Sequence, residues 1–382
     1  MDPNIYQKSL DLHKQNHGKL AVTSKLRLDS KEVLSLAYSP GVAEVSREIA
    51  RDPSLARDYT LKRNTVAIVS DGSAILGLGN LGALAAIPVM EGKAAILKEF
   101  AGVDAFPICL DTQDTEEIIK AVKQISPVFG AINLEDISAP RCFEIEERLR
   151  AELTIPVMHD DQWGAATVTL AGIINALKLT GHKKAELKVV ISGVGAAGVA
   201  TARLLINYGL KNIIFCDSQG IINSNRSDLN KEKLELLAAS TASAQSGSLA
   251  DALHDAHIFI GLSKPGLVTA DMVKTMAERP IIFALANPTP EIMPEAAKEA
   301  GAYIVATGRS DYPNQVNNSL VFPGAFKGML DNNIPQFKLA MFLAIAETLA
   351  AHVTDLSPDK ILPTMFDEGV VDLVAASVKN FK

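Results

Sequence analysis

The chain has 382 residues, enough for two domains of roughly 150–200 residues each. It is 48% hydrophobic and 21% charged, and 44 acidic against 37 basic side chains leave a formal charge of −7. That balance argues against a nucleic acid or an anionic membrane as partner, since both need a clustered positive face. Cys109, Cys142 and Cys216 are widely spaced, form no CxxC pair, and read as reduced thiols of a cytoplasmic protein. A cysteine zinc site is thereby excluded. Positions 72–90 carry no charge, and their length reaches the ~18 apolar residues of a membrane span. Gly72, Gly77, Gly79, Gly82, Asn80 and Pro88 interrupt the run, its flanks do not follow the positive-inside pattern, and a glycine turn with a buried helix suits it better.

In chain order, the first thirty residues predict a helical, solvated arm, and Pro40-Gly41 marks a turn or a helix start. TVAIVSDG (65–72) is a strand by its β-branched run and glycine stop. NLGALAAIPVM (80–90) follows as a helix, AAILKEF (94–100) as a second strand and DAFPICLD (104–111) as a third. Residues 115–125 form a helix with apolar positions 118, 119, 122 and 125. FGAINLED (129–136) is the next strand, 142–153 a helix, and IPVMHDD (155–161) a fifth strand. A long apolar helix over 162–178 and a polar hinge precede a second strand–helix alternation, and everything from Phe326 reads as helix packing back over one of the sheets. Strands alternating with helices mean parallel sheets, so the fold class is α/β with two doubly wound domains, 1–161 and 162–382.

Two GxGxxG motifs occur. Gly193-Val194-Gly195-Ala196-Ala197-Gly198 follows the strand KVVIS and opens a helix, and Asp217 closes the next strand, about 20 residues on, where a dinucleotide fold places its ribose-binding acid. The second domain is therefore a Rossmann domain, and Asp217 favours NAD, since a carboxylate repels a 2′-phosphate; NADP stays open. Gly77-Leu78-Gly79-Asn80-Leu81-Gly82 has no acid cleanly at a strand end and reads as close packing of a helix on the sheet. Glu135 with Asp136, and Asp160 with Asp161, end two strands of the first domain. Strand C-termini of a parallel sheet converge on one edge, and two carboxylate pairs there suit a hard divalent cation. Lys93, beside them, is a candidate general base with a lowered pKa.

AYSPGVAE, VSDGSAILGLGNLGALAAIPVMEGKA, NLEDISAPRCFEIE, HDDQWGAA, ISGVGAAGVATARLL, FALANPTPE and QVNNSLVFPG resemble, in order and over nearly the whole chain, the signatures of the malic enzyme family, its short bacterial type most. The resemblance implies Tyr38 as general acid, Lys93 as general base, Glu135, Asp136 and Asp161 as ligands of Mg²⁺ or Mn²⁺, and Asp160 as the lysine's partner. It also implies Asn287, Asn317 and Asn318 as substrate or nicotinamide contacts. The activity so implied is oxidation and decarboxylation of L-malate to pyruvate with NAD, the small acids malate, oxaloacetate and pyruvate being the only partners besides a second copy in a homodimer. Two departures stand out. HDDQWGAA takes the place of the usual HDDQHGTA, putting Trp163 for a histidine, and Ala74 stands where long relatives have a carboxylate-binding arginine. They suggest a specialised relative, with oxaloacetate decarboxylation or malate-to-lactate conversion as the alternative reaction. A nucleotide-sensing protein without chemistry is the remaining reading, and the joint presence of Tyr38, Lys93, Glu135, Asp136 and Asp161 opposes it.

Overall fold

The structure, a computed structural model, describes residues 4–381. Four wholly parallel strands make the first sheet: β1 (Thr65–Ser70), β2 (Asp104–Cys109), β3 (Ala131–Leu134) and β4 (Val157–His159), in the order β2-β1-β3-β4. β1 is buried along its whole length, as the run TVAIVS requires of a central parallel strand. β2 holds Pro107 and is an edge strand, where a missing N–H costs no ladder bond. The second sheet contains β5 (Val189–Ser192), β6 (Ile213–Asp217), β7 (Gly220–Ile221), β8 (Ile258–Gly261), β9 (Ile281–Ala284) and β10 (Ile304–Thr307), in the order β10-β9-β8-β5-β6-β7. Only β7 runs antiparallel. Strand order reverses at β1 and again at β5, so each sheet offers a crevice outside its strand C-termini.

Three expectations are corrected. AAILKEF is not a strand: one helix runs Ala83–Ala101, through Pro88, to Gly102 in a left-handed cap. Its buried positions, Ala86, Met90, Lys93, Ala94, Leu97 and Ala101, recur every three to four residues, the period of a helix lying on a sheet. Lys93 thus stands mid-helix, facing inward. Asp160 and Asp161 do not end a strand; they open the helix Asp160–Thr180, where their charge suits the positive end of the helix dipole. The third concerns the C-terminal helices, which do not cover one sheet. Phe322–Asn332 lies against Ala83–Ala101, Leu339–His352 against Asp160–Thr180, and Val370–Lys379 closes on Phe322–Asn332.

Asp160–Thr180 is the spine between the two sheets, buried almost throughout. Asn175 ties it to the C-terminal segment by donating to the carbonyls of Ala350 (2.8 Å) and Ile361 (3.0 Å). One apolar core runs from Val66 in β1 to Val378 and takes in residues of both sheets; a second lies on the far face of the second sheet. Among the described residues no helix is long and apolar enough to cross a membrane. All three cysteines are free, with Cys142 and Cys216 buried.

Candidate active site

The parallel register Val69–Leu134 and Leu134–His159 brings the ends of β1, β3 and β4 to one edge. There Glu135, Asp136 and Asp161 each offer a carboxylate oxygen within 4.8 Å of the others. Asp161 accepts from the Asp136 backbone N–H (2.8 Å), and Asp136 takes a left-handed φ of 53° to make the turn. Its Oδ2 is buried without a hydrogen-bond partner. Three hard oxygen donors converging with an unsatisfied buried oxygen fit a divalent cation of the Mg²⁺ or Mn²⁺ kind. Burial, reinforced by Asp161, pushes the Asp136 carboxyl up to about 7.

Lys93 reaches this cluster from the middle of its helix. Its ammonium lies 2.8 Å from Glu135 Oε2, hydrogen-bonds Asp160 Oδ2, and sits 4.4 Å from the centre of the Phe322 ring. Burial alone would lower its pKa, as the sequence suggests, but Asp160, Glu135 and Asp161 outweigh burial and hold it above the ordinary lysine value. The lowered pKa is therefore corrected: three carboxylates surround one cation. Glu135 and Asp160 are both pushed up, by burial first, with Lys93 opposing. Asp160 Oδ1 has no hydrogen-bond partner and would collide with any Cβ at Gly164, which would also lie 2.9 Å from the Asn318 Cβ. Asn318 is thus beside the cluster, half-buried; neighbouring Asn317 spends its Oδ1 on the Ser319 N–H (2.9 Å).

Sequence reasoning missed what supports these groups. Glu146, buried on the helix Arg141–Glu152, accepts from the His159 N–H (3.0 Å), Gln162 Nε2 (3.1 Å) and Trp163 Nε1 (2.9 Å). One carboxylate therefore pins both sides of the Asp160-Asp161 turn. Trp163 turns its indole N–H to Glu146 and stacks on Phe342, with ring centres 4.9 Å apart. Arg141 pairs with Asp71 (2.9 Å) and donates to Ser73 Oγ (3.0 Å), which also accepts from the Ser138 N–H, joining the loops after β1 and β3. Tyr38 is not brought into the cluster: it is 70% exposed at the end of the helix Lys31–Ala37, and no side-chain hydrogen bond holds it.

In the second sheet the turn after β5 lies at the strand-order reversal. Gly193 has φ +99°, and a Cβ there would overlap the Leu262 carbonyl beside β8; a Cβ at Gly198 would overlap the Gly193 carbonyl. These two glycines are needed to bring turn, strand and helix together. At Gly195 a Cβ would meet nothing within 4 Å, and the helix Ala196–Tyr208 opens without a side-chain cap. An open cradle of bare N–H groups, formed with Val194, Ala196 and Ala197, fits a pyrophosphate. Asn287, exposed after β9, lies between the halves: a Cβ at Gly77 would be 2.5 Å from its carbonyl oxygen. Gly77 therefore packs on a loop of the other sheet, while at Gly79 and Gly82 a Cβ would meet nothing within 4 Å. The helix that follows, Ala83–Ala101, lies on β1 and β2 as expected, but these glycines are not what its packing requires. Asp217 ends β6 with both oxygens engaged by Arg226 and by Lys233.

Comparison with known proteins assigns this arrangement. Residues 15–150 match the malic enzyme N-terminal domain, and residues 163–378 the malic enzyme NAD binding domain. A bifunctional malic/malolactic enzyme of Bacillus subtilis is 52% identical over 378 residues, 98% of this chain and 92% of that protein. The chain belongs to the malic enzyme family.

An NAD-dependent malic enzyme of Geobacillus stearothermophilus is also 52% identical, over 94% of this chain and 76% of its own. The crystal structure of an NAD-dependent malic enzyme from Thermotoga maritima superposes with a TM-score of 0.94 at 48% identity, covering 97% of this chain and 98% of that one. Within this malic enzyme fold, Lys93, Glu135 and Asp136 lie in the first matched region, Asp160 and Asp161 in the short stretch between the two, and the glycine cradle in the second. Glu146 and Phe322 fall inside two of the quoted signatures without a role being assigned to them, Arg226 lies in none, and only a helix-period reading of 83–101 would have announced that Lys93 faces inward.

Proposed function

We propose that this chain oxidises and decarboxylates L-malate to pyruvate and CO₂, passing a hydride to a nicotinamide dinucleotide. The observation that carries it is Lys93, buried between Glu135 and Asp160 beside three convergent carboxylate oxygens. We assign the metal-binding half to residues 1–161 and the dinucleotide half to 162–382. Glu135, Asp136 and Asp161 hold the cation, which when bound supplies Lewis-acid charge to the substrate oxygen on carbon 2 and offsets the carboxylates around Lys93. The dinucleotide, when bound on the 193–198 cradle, is the hydride acceptor. With the carboxylate charge around it offset, Lys93 can give up its ammonium proton to solvent, and the neutral amine takes the proton of the carbon-2 hydroxyl, with Asp160 fixing its Nζ and the Phe322 ring beside it. The resemblance gives Tyr38 the proton transfer to carbon 3 once CO₂ has left. Since it stands 70% exposed outside the cluster, that role requires either that the helix Lys31–Ala37 close on the cluster or that the tyrosine come from the second copy of the homodimer. Asn287, Asn317 and Asn318 contact substrate or nicotinamide.

Steady-state assays with malate or oxaloacetate, each with NAD or NADP and with or without Mn²⁺, test this reading. The expected result is pyruvate formed in step with reduced dinucleotide, dependent on Mn²⁺, and lost by at least ~10³-fold in Lys93→Ala. Pyruvate from oxaloacetate alone would make decarboxylation the reaction. Lactate without net reduced dinucleotide would make it the malolactic conversion that the name of the Bacillus relative includes. Unimpaired dinucleotide binding with no turnover of either acid would leave a sensor. We further propose a cytoplasmic homodimer. Leu34, Leu36, Val42 and Val45 are exposed on the helices Lys31–Ala37 and Val42–Arg51, which bury no residue. A monomer mass by light scattering at micromolar concentration would refute the dimer.

A further inference from the structure

Asp217 stands where a dinucleotide fold places the acid that accepts hydrogen bonds from the adenosine ribose. In this chain its acceptor capacity is spent. Oδ1 accepts from Arg226 Nη1 (2.8 Å) and the Gln219 N–H (3.0 Å); Oδ2 accepts from Arg226 Nη2 (2.9 Å) and Lys233 Nζ (3.0 Å). A carboxylate offers about four lone-pair sites, so none is left for a ribose hydroxyl. The donors are not exhausted. Arg226 spends its remaining contacts on Asp228, with Nε to Oδ1 at 2.9 Å and Nη2 to Oδ2 at 2.6 Å. One Nη1 hydrogen remains on the guanidinium, as do two of the ammonium hydrogens of Lys233. Both side chains are largely buried, 14% and 19% exposed, and held in place. Arg226 comes from the loop after β7, and Lys233 from the first turn of the helix Lys231–Ala239, whose cap Asn230 accepts from the Lys233 N–H (3.0 Å).

A site at the end of β6 with free N–H donors, two fixed cations and no free acceptor suits an anion, not a diol. We infer that this chain takes the 2′-phosphorylated dinucleotide, NADP, with Arg226 and Lys233 receiving the 2′-phosphate and Asp217 serving as their anchor. A guanidinium fork and an ammonium are the usual donors to phosphate. The repulsion expected between Asp217 and a 2′-phosphate is cancelled by the cations seated on it. Burial raises the Asp217 carboxyl, but the Arg226, Gln219 and Lys233 hydrogen bonds outweigh it and bring it down to about 2, so the anchor stays ionised at neutral pH. The inference rests on the dinucleotide reading of residues 193–198 and is independent of which acid is oxidised.

Calorimetric titration of the intact chain with 2′,5′-ADP and with 5′-AMP isolates the phosphate, because neither probe reaches metal or malate. The expected result is at least ~10-fold tighter binding of 2′,5′-ADP, the scale of one or two charge-assisted hydrogen bonds. Lys233→Gln and Arg226→Ala should each remove most of that preference, and should lower the NADP-to-NAD ratio of kcat/KM by a similar factor. Arg226→Ala also loosens a loop, so Lys233→Gln, in the first turn of a regular helix, is the decisive variant. Equal or tighter binding of 5′-AMP, no binding of either probe, or a preference unchanged by Lys233→Gln overturns the inference. Failure of malate oxidation with both dinucleotides, alongside a 2′,5′-ADP preference lost in Lys233→Gln, would sink the malate reading and uphold this one.

Discussion

Single side chains in this site act through what surrounds them. Glu146 touches neither cation ligand nor lysine, yet it holds the backbone of His159 and the side chains of Gln162 and Trp163, bracketing Asp160 and Asp161. Partners of this kind, one shell behind the ligands, change metal affinity by about 10–100-fold when removed. Glu146→Ala should therefore weaken Mn²⁺ binding, followed by electron paramagnetic resonance, within that range. Trp163→Phe, which keeps the stack on Phe342 and loses only the indole N–H, should weaken it less. Equal Mn²⁺ affinity in Glu146→Ala would show that the turn holds itself. The residue looked like a departure from the family pattern in the sequence because its neighbours there are HDDQ; its neighbours in space are Glu146 and Phe342. Lys93, Glu135, Asp136, Asp160 and Asp161 were legible because short motifs name them. Glu146 ends the signature NLEDISAPRCFEIE but was given no role, since a glutamate on a charged helix reads as a solvated one.

Among elements, the glycine turn separates packing from binding. A Cβ at Gly198 runs into the Gly193 carbonyl, whereas at Gly195 it meets open space at an ordinary φ of −90°. Gly198→Ala should thus lower the melting temperature by several degrees, the effect of about 1–3 kcal/mol of overpacking. Gly195→Ala should leave melting unchanged while weakening dinucleotide binding in a fluorescence titration. Equal melting losses in both would remove the cradle assignment. The same scale shows where sequence patterns fall short. AAILKEF is apolar, short and bounded by charge, and such runs fit strand or helix equally. The decision came from outside it, from Met90 and Ala86 continuing the stripe upstream and Gly102 capping it downstream. The acid at the end of β6 was legible, but its two cations were not, because they arrive across a loop and a helix start.

For the whole molecule, four carboxylates and one ammonium share a buried edge, and stability should register that. The folded Asp136 carboxyl titrates at about 7, above the ordinary carboxylate value near 4. The folded state therefore binds more protons than the unfolded state between those values. Its contribution is fully present below about pH 4 and is lost as pH rises through about 7. In chelator-treated protein this term should lower the melting temperature across that window. Adding Mn²⁺ at pH 7–8 should raise it, by RT ln(1 + [L]/Kd) at a saturable site. A melting temperature indifferent to Mn²⁺ at millimolar concentration would deny the cation site. A different consequence follows from the Phe322 ring above Lys93. Its helix is seated by Gly324 and Gly328, where any Cβ would strike Val371, Val374, Ala375 or Val378 on the helix Val370–Lys379. During synthesis the first sheet, its lysine and its carboxylates leave the ribosome long before that lid and its backing exist. The lysine stays open to water until some 280 further residues have been made, so a nascent chain holds its whole acid–base apparatus idle until the far end arrives to shut it.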